Sequence, residues 1–411
     1  MQMRYWILML GLTSAVSASD WPQFLGPSAD GHATETNLPV EWSKEKNVVW
    51  RREVPGGGWS SPVVVGGTVY LTAAVPIPDS ANLSLQARAY DAKTGEPKWD
   101  REVFVQEGAK APKIHSKNSH ASPTPIVDGD RLFVHFGHQG AARLKLNGEI
   151  VWKNSDFKYE PVHGNGGSPA LVGDTLIFSA DGAKEPCVLG LNVADGKEKW
   201  RYARPGDPAK KFAFCTPGVF NIGGAMQVII PGADSAAALK PDTGEEIWRV
   251  KYDGYSVIPR PQFGHGLVFF STSYDRPSLI AIDPKGTGDI TETHIAWQTK
   301  RGAPHTPSPL LVGDELYFVS DGGVFSCVDA KTGTQHWQER IGGNYSSSPL
   351  FADGKIYLQA EDGKGQVFKP GTTFEKLGEN GFGERTLASY AFADGAVFIR
   401  TADALYRVQA K

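Results

Sequence analysis

Asp91-Ala92-Lys93-Thr94-Gly95-Glu96-Pro97-Lys98-Trp99 and Asp329-Ala330-Lys331-Thr332-Gly333-Thr334-Gln335-His336-Trp337 are two copies of one stretch, identical at six of nine positions. Weaker copies keep the frame of a Gly four residues before a Trp: Gly148 and Trp152, Gly196 and Trp200, Gly244 and Trp248. Self-similarity at a fixed period signals a repeat architecture. An independent count comes from tight turns at Gly66-Gly67, Asp128-Gly129, Gly173-Asp174, Gly223-Gly224, Gly264-His265, Gly313-Asp314, Asp353-Gly354 and Asp394-Gly395, eight in all. Apolar strands flank them, and a proline stands a few residues ahead of seven. Gly and Asp supply the positive φ of two-residue hairpins, so each copy opens a small sheet.

The outer strands carry Trp99, Trp152, Trp200, Trp248, Trp297 and Trp337, spaced 53, 48, 48, 49 and 40 residues apart, room for four strands per period. The last hairpin has no such strand after it, because the chain ends at Leu405-Tyr406-Arg407-Val408, whereas Val48-Val49-Trp50 stands unmatched near the N-terminus. The two ends therefore complete one shared sheet, with residues 47–53 paired against 404–409. Closure removes exposed sheet edges. The expected fold is all-β: an eight-bladed β-propeller of four-stranded antiparallel blades, closed by an N-terminal strand. Phe374-Glu375-Lys376-Leu377 is the outer strand without a Trp.

Ala89 to Trp99 fits Ala-x-Asp-x-x-Thr-Gly-x-x-x-Trp, and on this motif the chain resembles the PQQ-like β-propeller repeat family. Asp20-Trp21-Pro22-Gln23-Phe24-Leu25-Gly26-Pro27-Ser28-Ala29-Asp30-Gly31 is similar to the leader of a secreted subgroup of that family. The resemblance implies that Trp50, Trp99, Trp152, Trp200, Trp248, Trp297 and Trp337 dock one blade on the next, each indole N–H meeting a carbonyl. It also implies likeness in architecture to the outer-membrane assembly propeller and to quinoprotein dehydrogenases.

Arg4, the apolar run Tyr5 to Leu12 and Val16-Ser17-Ala18 read as an export signal over residues 1–18, leaving 19–411 as a single propeller domain in the periplasm or secreted. The run is too short to span a bilayer comfortably. Three cysteines, Cys187, Cys215 and Cys327, allow at most one disulfide and read as buried apolar residues. Lys+Arg 42 against Asp+Glu 45 gives a net charge of -3, with no basic footprint for nucleic acid. The protein is read as a monomer.

Connections from one blade's outer strand to the next blade's inner strand open on the channel mouth. Just ahead of the inner strands stand Trp59, Asn118 with His120, His163 with Asn165, Phe212 with Phe214, Tyr255 with Arg260, His305, Asn344 with Tyr345, and Glu384 with Arg385. Aromatic faces with a few fixed polar groups suit a planar or sugar-like ligand. Two fixed requirements of a PQQ-dependent enzyme are carboxylate and amide oxygens for Ca²⁺ and a general-base Asp. In this ring Glu384 is the one carboxylate, and the chain has neither an adjacent Cys-Cys pair nor Cys-x-x-Cys-His. His135-Phe136-Gly137-His138 suggests a metal, yet strand residues three apart face opposite sides and no acidic residue sits at matching spacing. No Gly-x-Ser-x-Gly elbow appears. The reading is an exported, non-catalytic binding or scaffold propeller for an envelope protein partner, a glycan or a small molecule, with no cofactor and no catalytic residue expected. A PQQ- and calcium-dependent alcohol or sugar dehydrogenase is the alternative, and a carbohydrate-active enzyme the second.

Overall fold

In the computed structural model, which describes residues 19–410, eight antiparallel sheets are arranged as the blades of a propeller. The export segment read at 1–18 lies outside the described residues. Blade 1 is Val63–Val65, Thr68–Pro76, Leu83–Asp91 and Pro97–Gln106, and blades 2 to 7 repeat the order from inner to outer strand. Blade 8 takes Ala391–Ala393, Ala396–Arg400 and Ala404–Gln409 from the C-terminus and its outer strand, Val48–Glu53, from the N-terminus. The register of that closure runs from Val48 opposite Val408 to Glu53 opposite Ala404.

The hairpins follow the sequence. Both turn residues have positive φ at Gly66-Gly67, Gly223-Gly224, Asp353-Gly354 and Asp394-Gly395, and only the first does at Gly129, Gly173 and Gly313, as primed turns require. The second and fifth turns sit one residue later than the sequence reading, at Gly129-Asp130 and at His265 (φ 52°) and Gly266 (φ 75°).

The repeat motif acts between blades. Trp99 Nε1 donates to Leu146 O (2.9 Å), Trp152 to Val193 O (2.9 Å), Trp200 to Pro241 O (2.8 Å), Trp297 to Ala330 O (3.0 Å), Trp337 to Gly371 O (2.9 Å) and Trp50 to Ala92 O (3.1 Å), each carbonyl on the following blade. Trp248 departs from the pattern and donates to Gln227 Oε1 of its own blade (3.2 Å). The reason is local: ahead of blade 5's outer strand, Gly288–Asp289 adds a fifth, parallel strand to blade 4 against Trp248 and Arg249, where the other blades have their motif turn. A bulge interrupts the pairing of the two outer strands in every blade, next to the Trp in those that carry one, as at Gly190/Leu191 beside Trp200. Such bulges raise the local twist. The apolar clusters lie between adjacent blades, and the three cysteines are buried and free.

Candidate functional site

The leader decides the shape of the central channel. Trp21 pairs with Val64 in both directions (2.7 and 2.9 Å), Val127 N–H donates to Pro22 O (2.8 Å), and Gly31 O and Ala33 N–H bond Phe351 (2.8 and 2.9 Å). The segment thus satisfies free edges of the inner strands of blades 1, 2 and 7. It crosses the underside of the ring and places Phe24 against the channel. What remains is a cavity of about 270 Å³ that opens toward the inter-blade loops.

A belt of hydroxyls lines this cavity. Every blade but the fifth enters its inner strand through Ser or Thr, and the hydroxyl oxygen accepts the backbone N–H of the blade before it. Ser61 N–H donates to Thr124 (2.9 Å), Thr124 to Ser168 (2.9 Å) and Ser168 to Thr216 (3.0 Å). Arg260 N–H donates to Ser308 (2.9 Å), Ser308 to Ser348 (3.0 Å), Ser348 to Ser389 (3.0 Å) and Ser389 to Ser61 (3.1 Å). The ring breaks between Thr216 and Arg260, where the Cys215 thiol donates to Pro259 O instead (3.2 Å). Among the described residues none of these seven hydroxyls has an acceptor for its own proton, so seven O–H donors face the cavity.

Above the belt stand Trp59, Phe212, Phe214, Tyr255 and Tyr274, with His115 and His163 in edge contact at 5.6 Å. The long connection from blade 1 to blade 2 reaches over the mouth. Lys117 at its tip contacts Asp321 of blade 6 (3.2 Å) and Glu361 of blade 7 (2.8 Å). Burial alone would push the ammonium down, but the charges of Asp321 and Glu361 outweigh it and its pKa is raised. The strap is also held by Arg385, which donates to Ser116 O (2.6 Å) while its guanidinium lies 5.4 Å from the Trp59 ring centre.

Of the sequence candidates, Trp59, Asn118 and His163 line the cavity and Arg385 braces its rim. Asn118 donates to His163 O (3.0 Å), tying two strap and loop residues together. His305 sits at the mouth beside Asp321, which accepts its backbone N–H (3.0 Å). Asn344 is exposed and its carbonyl accepts Glu361 N–H (2.8 Å). His120 is half-buried beside the strap, and burial lowers its pKa. Four residues are turned elsewhere. Tyr345 is fully buried in the core between blades 6 and 7. Asn165 is buried, bonded to Tyr159 (2.7 Å) and to His138 (3.1 Å). Arg260 points to the underside. Glu384 accepts from Tyr406 (2.6 Å) and Thr401 (2.7 Å) and is absent from the cavity wall. The carboxylates at the mouth are Asp321 and Glu361, which a reading confined to inter-blade loops missed because they stand on turns within blades 6 and 7. The recurring Ser-Pro and Thr-Pro pairs were the signal for the belt. Among the described residues no three His, Cys, Asp or Glu side chains converge, and no helix is long and apolar enough to cross a membrane.

Tetrathionate hydrolase of Acidithiobacillus ferrooxidans is 23% identical over 341 residues, 69% of this chain and 62% of that one. Outer membrane protein assembly factor BamB of Burkholderia pseudomallei is 30% identical over 103 residues, 25% of this chain and 26% of that one. The chain thus spans less than two thirds of either relative. Among solved structures, BamB from Moraxella catarrhalis superposes with TM-score 0.59 at 13% identity, covering 88% of this chain and 99% of that one. Quinohemoprotein alcohol dehydrogenase from Comamonas testosteroni gives 0.66 at 13%, covering 95% and 81%. At such identity the likeness is one of fold. Residues 32–155, 86–213, 157–283 and 278–373 each match the family model described as outer membrane protein assembly factor BamB, and with that match over most of its length the chain belongs to this PQQ-like repeat family.

Proposed function

We propose that this is an exported, non-catalytic binding propeller whose channel takes a small, oxygen-rich ligand of the glycan type. The observation that carries the reading is the belt: seven O–H donors without an acceptor among the described residues, under a wall of aromatic rings, in a cavity of about 270 Å³. Sugar oxygens accept such donors while the C–H faces stack on Trp59 or Phe212. The cavity wall contains no Asp or Glu, and of its two imidazoles His115 accepts Lys117 N–H at Nδ1 (3.1 Å) while His163 packs edge-on against His115 and Phe212.

PQQ with calcium does not suit these residues. A hard cation needs several oxygen ligands including carboxylates. Asp321 and Glu361 face the Lys117 ammonium, and Glu384 is held by Tyr406 and Thr401.

A second reading, a scaffold for an envelope protein, is favoured by the family match to outer membrane protein assembly factor BamB. The test is titration of the protein spanning 19–411 with mono- and disaccharides, read by Trp fluorescence and calorimetry. Saturable binding weakened at least about tenfold in Trp59→Ala is expected. Turnover of alcohols or sugars with PQQ and Ca²⁺, or of tetrathionate, would overturn the non-catalytic reading. Absence of saccharide binding, with capture of one defined envelope protein, would favour the scaffold.

A further inference from the structure

Arg260 stands where the belt would have its eighth hydroxyl. Its side chain is 2% exposed and runs to the underside, where Nη1 donates to Ala29 O and, at 3.3 Å, to Pro261 O. Carbonyls are its only hydrogen-bond acceptors among the described residues. The acidic side chain whose field reaches it, Asp30, is taken by His32: its Oδ1 accepts His32 N–H (3.0 Å) and lies 3.4 Å from His32 Nδ1. Burial presses the guanidinium's pKa down to about 10, as expected of a charge without a counter-charge. Arg204, also buried, has Asp181 Oδ1 at 2.7 Å, whereas Arg400, as buried as Arg260, donates to the Ser60 carbonyl and hydroxyl. Buried charges are ordinarily paired, because an isolated one costs far more than a hydrogen bond returns.

Beside Arg260 lies a second cavity of about 180 Å³, walled by Gln23, Ser28, Thr216 and Pro217 and divided from the channel by Phe24 and Thr216, which line both. Its polar groups come from the leader and from blades 4 and 5. Thr216 accepts Ser168 N–H and keeps its own proton free for an acceptor.

We infer that this lower cavity is a binding site for a small tetrahedral oxyanion, sulfate or phosphate in type, with Arg260 as its charge partner and Thr216 as a hydroxyl donor. The walls approach from several directions, which suits a tetrahedral anion more than a flat carboxylate. Because Gln23 and Ser28 belong to the leader, a bound anion fastens the leader to blades 4 and 5. The site shares Phe24 and Thr216 with the channel cavity, but its charge partner Arg260 and the leader residues Gln23 and Ser28 line the lower cavity alone.

The experiment uses the protein spanning 19–411 and sulfate as the probe, titrated against chloride at constant ionic strength while the melting midpoint is followed. The wild type is expected to show a saturable rise; Arg260→Gln should lose the saturable part, and Thr216→Val should shift half-saturation at least about tenfold upward. Identical sulfate responses in wild type and Arg260→Gln would overturn the assignment, as would no response in the wild type. Should Arg260→Gln fail to fold, anomalous diffraction from wild-type crystals grown with selenate decides the matter: a peak within hydrogen-bond reach of Arg260 supports the site, and its absence refutes it. Saccharide titration of the same proteins keeps the two readings apart, because a channel that binds no sugar leaves the sulfate response intact.

Discussion

The indole of Trp200 lies so close over Gly244 of the next blade that a Cβ on Gly244 would fall 2.5 Å from Trp200 Cε3. The same contact recurs between Trp99 and Gly148 (2.9 Å) and between Trp297 and Gly333 (2.7 Å). The Gly-x-x-x-Trp spacing thus has two ends: the Gly receives the ring of the blade before, and the Trp is presented to the blade after. Trp200→Ala should cost about 3–5 kcal/mol by cavity formation. Gly244→Ala should cost about 1–3 kcal/mol or more, since the position also has φ +70°. Urea unfolding of both variants checks this, and the two losses should be less than additive, since either change alone already breaks the one contact.

Closure makes a second prediction. Val48–Glu53 is the outer strand of blade 8, and its Trp50 bonds blade 1 through Ala92 O. Deleting residues 19–53 removes the leader and this strand together, exposing the edge of Ala404–Gln409. The melting midpoint should fall by several degrees or more, and self-association through the bare edge should appear in sedimentation. Unchanged stability with a monomeric profile would contradict closure by this strand.

The strap gives a third. Lys117→Met leaves Asp321 and Glu361 facing one another without their shared cation, at a cost of about 1–3 kcal/mol. Loosening the strap should raise both association and dissociation rates of a channel ligand more than it changes affinity. Stopped-flow Trp fluorescence separates these quantities, and unaltered rates would show that the strap does not gate the cavity.

The fold was legible because propeller closure and blade docking are written in short-range spacing: hairpin turns, Gly-x-x-x-Trp, and an outer strand displaced to Val48-Val49-Trp50. The site was legible only in part. Trp59, Asn118, His163 and Arg385 could be placed because they sit on inter-blade loops. Lys117 meets Asp321 across 204 residues, and nothing local in either segment announces the pairing. Phe24 marked a family subgroup in the sequence, and its position under the channel follows from the leader bonding to three different blades. Tyr345 and Glu384 were misplaced for the opposite reason, since local polarity beside an inner strand does not distinguish a side chain facing the channel from one turned between blades.

Acid sensitivity is the last prediction. His135 is buried between Phe178, 4.2 Å away, and Phe157, and burial together with the nearby His138 holds its pKa down at about 3. His138, beside Asn165, is lowered to about 4 by burial, then by the charges of His120 and Lys158. In the unfolded chain both titrate near 6.5, so between about 6.5 and 4 the unfolded state takes up protons that the folded state refuses. Stability is therefore fully present above about pH 6.5 and declines as the pH falls toward 4. Removing the imidazoles removes that slope: His135→Gln and His138→Gln should each lose less stability between pH 7.5 and 4.5 than the wild type. Carboxylates titrating near pH 4 affect all three proteins alike, so the difference between their urea midpoints isolates the histidines. Parallel pH profiles would show that these two imidazoles do not set the acid limb.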